Sequence, residues 1–300
     1  MQLELTFAER LEAVGDQVTL ALDTLIPRAV GPESDLYSAM RYAALGGGKR
    51  LRPLFVLECG GLFDLPVKSL LRVATAVECI HTYSLIHDDL PCMDDDDLRR
   101  GRPTVHKAYS ESMAVLAGDA LQTLAFEILA DEETSAQPRI RVELIASLAK
   151  AAGGQGMVGG QAMDMAAATS STKMQMPLIA RMQRMKTGAL IQFAVEASAI
   201  MSGASAQAHH ALSRFANDLG LAFQITDDLL DVEGDVKKTG KAVGKDAAQG
   251  KASFVEGLGV KDARARSKML ADQAKAHLDI FGDSATILRQ SVDFVINRSG

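Results

Sequence analysis

Apolar residues recur along this chain at the spacing of an α-helix, and this period restricts the fold more than any other feature. Ala76, Val77 and Ile80 lie three, four and seven residues after Val73, which places all four on one helix face. Tryptophan is absent and aromatic residues make up 5% of the chain, so the composition is poor in the residues that β-strands favour. We therefore expect an all-α helical bundle, with residues 1–300 forming a single domain.

Clusters of Pro, Gly and Asp separate the helical segments, and no Ser/Gly-rich linker divides the chain. The Gly/Ala-rich stretch 151–168 is interpreted as a loop followed by a helix of small residues that allows close packing. We predict helices over residues 3–26, 34–44, 53–60, 67–89, 108–130, 138–151, 156–167, 176–201, 206–232, 253–258, 261–280 and 284–297.

Charge and composition exclude several classes of protein. The chain has 32 Lys and Arg against 38 Asp and Glu, a net charge of −6, which argues against nucleic acid as a partner. No apolar run approaches the roughly 18 residues of a membrane span, so we expect no integral membrane segment. The first ten residues lack a secretory pattern, and the three cysteines form no CxxC pair. We expect a cytoplasmic protein without disulfides or structural zinc.

Two clusters of aspartates follow directly after apolar helices. The first lies within residues 81–106 and the second within residues 223–235, and their candidate metal ligands are Asp88, Asp89, Asp94, Asp227, Asp228 and Asp231. Pro91 ends or kinks the first helix, so Asp94 has to return toward Asp88 from a loop. Carboxylates packed this closely repel one another unless a divalent cation lies between them. Ligands that are all oxygen suit Mg²⁺, which also binds phosphate oxygens.

Basic residues in loops marked by Gly or Pro lie near both clusters along the chain. They are Lys49, Arg50 and Arg52 in GGGKRLRP, Arg99 and Arg100 after the first cluster, Lys186 beside Thr187, and Lys241, Lys245 and Lys251 after the second. Such cations suit phosphate oxygens, and His81, seven residues before Asp88, could hold a further anion. The alternatives are solvated surface charges, neutralisation of the Asp94–Asp97 run by the two arginines, and a core histidine. The chain has no P-loop motif.

These residues together resemble the trans-isoprenyl diphosphate synthases, and most closely their bacterial-type farnesyl diphosphate synthase group. The resemblance runs from GGGKRLRP to the loop ending at Lys251 and includes GQAMD at Gly160–Asp164. It implies an all-α fold of the isoprenoid synthase type around a central cavity, a homodimer, and three Mg²⁺ ions bound by the two aspartate motifs. The first motif is two residues longer than DDxxD, which is typical of the bacterial group.

The resemblance also implies a role for each candidate residue. The isopentenyl diphosphate site would use Lys49, Arg52, His81 and Arg100. The allylic diphosphate site would use Arg99, Lys186, Thr187, Gln224, Lys241 and Lys251, while Lys245 and Lys251 could each serve as the loop cation. The metals and cations would stabilise the leaving diphosphate, and the neutral oxygens of Thr187 and Gln224 would lie near the allylic cation. Small-molecule diphosphates are therefore the expected substrates.

We expect the residues just before the first motif to determine the length of the product. Tyr83 lies five residues ahead of Asp88 and is followed by the small Ser84. Within the family an aromatic residue here is associated with a fifteen-carbon product, so we expect farnesyl diphosphate, with geranyl or geranylgeranyl diphosphate as alternatives. Tyr83 could also simply pack in the core.

Three other functions are weaker interpretations. A metal phosphohydrolase of the HD type would use His81, His87 and Asp88, but it leaves the second acidic cluster and the lysine loops unexplained. A terpene cyclase would not need a second diphosphate site. A non-catalytic partner subunit would be expected to have lost motif carboxylates, and all six are present.

Overall fold

The computed structural model of the chain describes residues 6–28, 30–169, 174–233 and 253–298. These residues are helical almost throughout, apart from one two-stranded antiparallel pair, and the all-α prediction is confirmed. The chain divides into two compact units, one of residues 1–60 and 64–145 and the other of residues 61–63 and 146–300. The single domain stays a prediction.

The first unit contains the earlier helices and the strand pair. Their bounds are α1 (Phe7–Leu25), α2 (Ser34–Ala44), α3 (Leu51–Gly61), α4 (Val67–Asp88), β1 (Leu98–Arg99), β2 (Arg102–Pro103), α5 (Val105–Ala108), α6 (Glu111–Ala130) and α7 (Pro138–Ala152). Helices α3 and α7 each continue past the boundary into the second unit. The short strands pair in register, with Arg99 opposite Arg102, directly after the first aspartate cluster.

Helix α4 is the core of the first unit, where it packs against α1, α2 and α6. Residues 72–80 are all buried, because neighbours cover this helix on nearly every side. It ends at Asp88, within one residue of the predicted end, because Pro91 cannot continue the helix. The core of the unit thus carries the first aspartate cluster at its end.

No membrane-spanning segment is expected from the sequence, but helix α6 meets the length and composition criteria for one. Among the described residues, it is the one helix that is long and apolar enough by composition, with a mean hydropathy of 1.4 over its most apolar window. About half of that window, 44%, is buried inside the structure. A core helix passes the same test, so this helix is weak evidence for a membrane segment.

The second unit contains the remaining helices. They are α8 (Met157–Thr169), α9 (Met176–Gln183), a π-helical turn (Arg184–Gly188), α10 (Ala189–Ser202), α11 (Ala206–Glu233), α12 (Phe254–Leu258), α13 (Val260–His277), a 3₁₀ segment (Asp279–Ala285) and α14 (Thr286–Asn297). Helix α11 packs against α10 and α13. Its fully buried face of Leu212, Phe215, Leu219 and Ala222 has the helical spacing of three and four residues.

The predicted continuous helix over residues 176–201 is wrong at its centre, where the π-helical turn separates α9 from α10. Helices approach this turn closely through glycines. A Cβ atom at Gly160 of α8 would overlap the backbone of Lys186, and one at Gly220 of α11 would lie 3.3 Å from the Cα atom of Gly188. The turn is therefore enclosed by backbone, and π-helical turns of this kind are frequent at functional sites.

Candidate active site

The first aspartate cluster folds back onto the end of α4, as the sequence predicted. The backbone N–H of Asp94 donates to the carbonyl of Asp88 at 2.8 Å, and that of Asp96 donates to the carbonyl of Asp89 at 3.2 Å. Asp95 adopts a left-handed conformation with φ of 50°, which reverses the chain at this point. The loop therefore brings Asp94 next to Asp88.

Asp89 is buried, at 3% exposed, unlike the other predicted ligands Asp88 and Asp94, and it binds an arginine. The guanidinium of Arg99 donates to its carboxylate from Nε at 3.0 Å and from Nη2 at 2.5 Å. A carboxylate of Asp96 lies 3.7 Å from the same guanidinium. Burial raises the pKa of Asp89, and the hydrogen bonds from Arg99 oppose that rise. Arg99 thus pairs with the acidic cluster, as the neutralisation alternative proposed, through Asp89 and Asp96.

Two of the predicted isopentenyl diphosphate residues, Arg52 and Arg100, lie close enough to His81 for their charges to act on it. Burial lowers the pKa of His81 well below its ordinary value, and the positive charges of Arg52 and Arg100 lower it further. Arg100 donates to the backbone carbonyl of Gly47, and a Cβ atom at Gly48 would lie 2.6 Å from its guanidinium carbon. The glycines of GGGKR thus allow Arg100 to lie against the loop that carries the predicted Lys49. A concentration of cations around a neutral imidazole is suited to an anion.

Arg50 has a different environment from the other cations of this loop. Its guanidinium forms an ion pair with Glu78 of α4 and donates to the carbonyl of Ala44. The side chains of Arg50 and Glu78 are 1% and 2% exposed. Arg50 therefore attaches the loop to the core of the first unit. Glu78 was not singled out from the sequence, because its position within an apolar helix gives no sign of a partner 28 residues away.

Lys186 lies in the π-helical turn and contacts α8. Its Nζ atom is 2.5 Å from a carboxylate oxygen of Asp164, which is 6% exposed. Asp164 is the last residue of the GQAMD segment, which the sequence associated with the family without giving this residue a role. The ion pair sets the position of the Lys186 ammonium group, and the side chain of Lys186 is 25% exposed.

Thr187, Gln224 and Asp228 form a continuous chain of hydrogen bonds. The Thr187 hydroxyl donates to Oε1 of Gln224 at 3.0 Å, and Nε2 of Gln224 donates to Oδ1 of Asp228 at 2.9 Å. The second oxygen of Asp228 accepts the backbone N–H of Phe254 at 2.7 Å. Gln224 thus contacts the second aspartate cluster through Asp228.

Asp227 is an exposed residue of the second cluster and pairs with a residue beyond the last described helix. Arg298, which follows α14, places Nη2 2.5 Å from Oδ1 of Asp227 and stacks its guanidinium 3.7 Å from the ring centre of Phe223. Burial lowers the pKa of Arg298, while the charge on Asp227 opposes this shift. No sequence pattern pointed to Arg298, because a contact across 71 residues has no local signature.

The aspartates fit magnesium in their chemistry. Within the described ranges, no group of three or more His, Cys, Asp or Glu side chains is arranged to hold a metal ion. The donors are nevertheless oxygens alone. Asp227 and Asp231 lie one turn apart on α11, and the loop brings Asp94 beside Asp88. The number of ions stays a prediction.

Tyr83 and Ser84 lie on α4 before the first cluster. Tyr83 is 5% exposed and packs edge-on against the ring of His87, with ring centres 5.7 Å apart. Ser84 donates its hydroxyl to the carbonyl of His81 at 2.9 Å. The predicted Lys241, Lys245 and Lys251 lie outside the described residues.

Known proteins with similar sequences support the interpretation drawn from this geometry. Residues 33–282 match the Polyprenyl synthetase family. The farnesyl diphosphate synthase of Escherichia coli is 43% identical over 298 residues, which cover 98% of this chain and 99% of that protein. The geranylgeranyl diphosphate synthase of Cyanophora paradoxa is 38% identical, with coverage of 97% and 95%.

A crystal structure described as an FPP/GFPP synthase from Zymomonas mobilis superposes with a TM-score of 0.89 at 48% identity. The superposition covers 97% of this chain and 98% of that one. These findings confirm the predicted resemblance and the isoprenoid synthase type of fold. The chain therefore belongs to the polyprenyl synthetase family.

Proposed function

We propose that this chain is a magnesium-dependent farnesyl diphosphate synthase. It condenses isopentenyl diphosphate with dimethylallyl diphosphate and then with geranyl diphosphate. The observation that carries the proposal is the 43% identity to a farnesyl diphosphate synthase over 98% of the chain. The presence of all six aspartates of the two clusters supports an active enzyme over a non-catalytic partner subunit.

Cationic side chains, together with the imidazole of His81, bind the two diphosphates. Lys49, Arg52, His81 and Arg100 bind isopentenyl diphosphate, and the cluster of positive charge around His81 supports this role. The allylic diphosphate is bound by Arg99, Lys186, Lys241 and Lys251. Arg99 and Lys186 are each held by a buried carboxylate, so their positions are set before substrate arrives.

The reaction breaks the bond between the allylic carbon and its diphosphate oxygen. Magnesium, held by carboxylates of the two aspartate clusters, would supply positive charge for the departing diphosphate. The oxygens of Thr187 and Gln224 stabilise the allylic cation without attacking it. The double bond of isopentenyl diphosphate then forms the new carbon–carbon bond, and the released diphosphate accepts the proton that is lost. No general base from the protein is required.

We propose a product of fifteen carbons, and a longer product is the competing candidate. Tyr83 is buried on α4, five residues before Asp88, a rise of about 7.5 Å along the helix axis. A bulky side chain there can limit growth of the product at fifteen carbons. The relatives named geranylgeranyl diphosphate synthase and FPP/GFPP synthase favour a longer product as the second candidate.

The family resemblance and the net charge support a proposal for the compartment, the oligomeric state and the binding partners of the enzyme. We propose a cytoplasmic homodimer that acts on small-molecule diphosphates and does not bind nucleic acid, in keeping with the net charge of −6.

The test is incubation of the purified protein with Mg²⁺, isopentenyl diphosphate and one primer at a time. The primers are dimethylallyl, geranyl and farnesyl diphosphate, and the dephosphorylated products are identified by mass spectrometry. Farnesol from the first two primers, with little reaction of the third, is the expected result. Geranylgeraniol would retain the reaction and overturn the product assignment, while no condensation with any primer would overturn the proposed function.

A further inference from the structure

Asp228 is the most enclosed residue of the second aspartate cluster. It is 4% exposed, whereas Asp227 one residue earlier is exposed. One carboxylate oxygen accepts the side-chain amide of Gln224 at 2.9 Å, and the other accepts the backbone N–H of Phe254 at 2.7 Å. Each oxygen therefore faces a donor from the protein.

The hydrogen bond between Gln224 and Asp228 fixes the orientation of the Gln224 side-chain amide. A carboxylate can only accept, so the NH₂ group of Gln224 points to Asp228 and its oxygen points to Thr187. Thr187 then donates a hydrogen bond to the side-chain oxygen of Gln224 at 3.0 Å and keeps both lone pairs of its hydroxyl oxygen. If the amide were reversed, Thr187 would accept a hydrogen bond from the NH₂ group of Gln224 and would use a lone pair to do so.

The second contact fixes Asp228 itself. The N–H of Phe254 belongs to the first residue of α12, whose N-cap Ser253 accepts the N–H of Glu256 at 3.1 Å. Phe254 is 5% exposed and packs in the same apolar cluster as Ile225 and Leu229 of α11. The carboxylate plane of Asp228 is thus held from both sides by well-packed elements.

We propose that Asp228 is a positioning residue and not a magnesium ligand: it sets the polarity of the Gln224 amide so that Thr187 presents its lone pairs to the allylic cation. This role rests on the proposed function, which places Thr187 and Gln224 beside that cation. It separates Asp228 from Asp227, the exposed member of the same cluster.

The first variant is Asp228→Asn, which keeps the shape of the side chain but replaces one acceptor by a donor. Either Gln224 or Phe254 then faces an NH₂ group, and the amide of Gln224 can reverse. We expect kcat to fall about tenfold or more, as for one misplaced buried hydrogen bond. The Mg²⁺ concentration for half-maximal activity stays at the wild-type value, whereas Asp227→Asn raises it.

The double variant Gln224→Glu with Asp228→Asn restores the chain of hydrogen bonds with its donors exchanged. The new amide at position 228 would donate to the carboxylate at position 224 and accept from Phe254, while Thr187 would still donate to position 224. We expect kcat of the double variant to recover about tenfold over that of Asp228→Asn. A structural role alone would restore thermal stability without restoring kcat.

Asp218→Asn serves as the matched control, because it removes a carboxylate of α11 that pairs with His277 away from the site. Its kcat should equal that of the wild type. The inference is overturned if Asp228→Asn raises the Mg²⁺ requirement as Asp227→Asn does, if it retains full kcat, or if the double variant is no faster than Asp228→Asn. A wild-type protein that condenses no primer would instead overturn the proposed function.

Discussion

Lys186 and Asp164 form an ion pair of 2.5 Å between the π-helical turn and α8. The carboxylate is 6% exposed, and Gly160 on the same helix lets the backbone of the turn approach. The pair holds the ammonium group of Lys186 in one place although the turn itself has an irregular backbone. A cation with a fixed position loses less conformational entropy when it binds a diphosphate.

Replacement of Asp164 by Asn should weaken the binding of the allylic substrate. The Asn side chain retains the shape of Asp164 but loses the charge that holds Lys186. We expect KM for geranyl diphosphate to rise about tenfold, a cost comparable to that of one charge-assisted hydrogen bond. KM for isopentenyl diphosphate should stay unchanged in steady-state assays. Glu196→Gln, which alters an exposed hydrogen bond to Gln192 on α10, should change neither constant. An equal rise in both KM values would contradict the assignment.

Replacement of Glu78 by Ala should destabilise the first unit strongly. The variant leaves the charge of Arg50 buried without its partner, and such a loss costs about 3–5 kcal/mol. Denaturant unfolding would measure this loss. Glu143→Ala is the control, because it breaks the exposed pair with Arg139 and should cost about 0.5 kcal/mol or less. Equal losses in the two variants would show that the buried pair contributes no more than an exposed one.

Much of the fold could be predicted because apolar spacing is a local property. Helix α2 has the predicted bounds of 34–44, and α4 ends within one residue of the predicted position. The π-helical turn was missed because regular α-helices lie on either side of it and its five residues are too few to show a period of their own. The strand pair at residues 98–103 was missed because its strands are two residues long.

The site could be predicted where neighbouring residues form one motif. Asp88 and Asp94 were expected to approach, and the backbone hydrogen bond between them bears this out. Pairs that depend on distant packing could not be foreseen. Asp164 lies 22 residues from Lys186, and Arg298 lies 71 residues from Asp227, so no sequence spacing joins them.

The pH dependence of stability should carry a contribution from His81. Its pKa in the folded state is lowered by burial and by Arg52 and Arg100, whereas in the unfolded state it is about 6.5. Below about pH 6.5 the unfolded state therefore binds a proton that the folded state does not, and stability falls by at most about 1.4 kcal/mol per pH unit from this group.

His81→Gln should flatten that part of the profile. The measurement is the melting temperature of each protein between about pH 7 and about pH 5.5, where the wild type should lose more than the variant. His209→Gln, at an exposed position of α11, should leave the wild-type profile unchanged. Identical profiles for wild type and His81→Gln would contradict the lowered pKa.

Tyr83→Ala should lengthen the product. Tyr83 is buried on α4 against His87, and removal of its ring leaves space that a growing isoprenoid chain can occupy. We expect the main product to change from farnesyl to geranylgeranyl diphosphate or longer, with farnesyl diphosphate now accepted as a primer. Mass spectrometry of the dephosphorylated products measures this directly.

Tyr83→Phe is the matched control for this change, because it retains the ring and removes only the hydroxyl. If the ring limits the product by its volume, Tyr83→Phe keeps the fifteen-carbon product while Tyr83→Ala does not. If Tyr83→Ala folds and condenses both short primers but still stops at fifteen carbons, the ring is only a core side chain. The limit then lies elsewhere in the protein. A longer product from both variants would instead assign the limit to the hydroxyl and not to the volume of the ring.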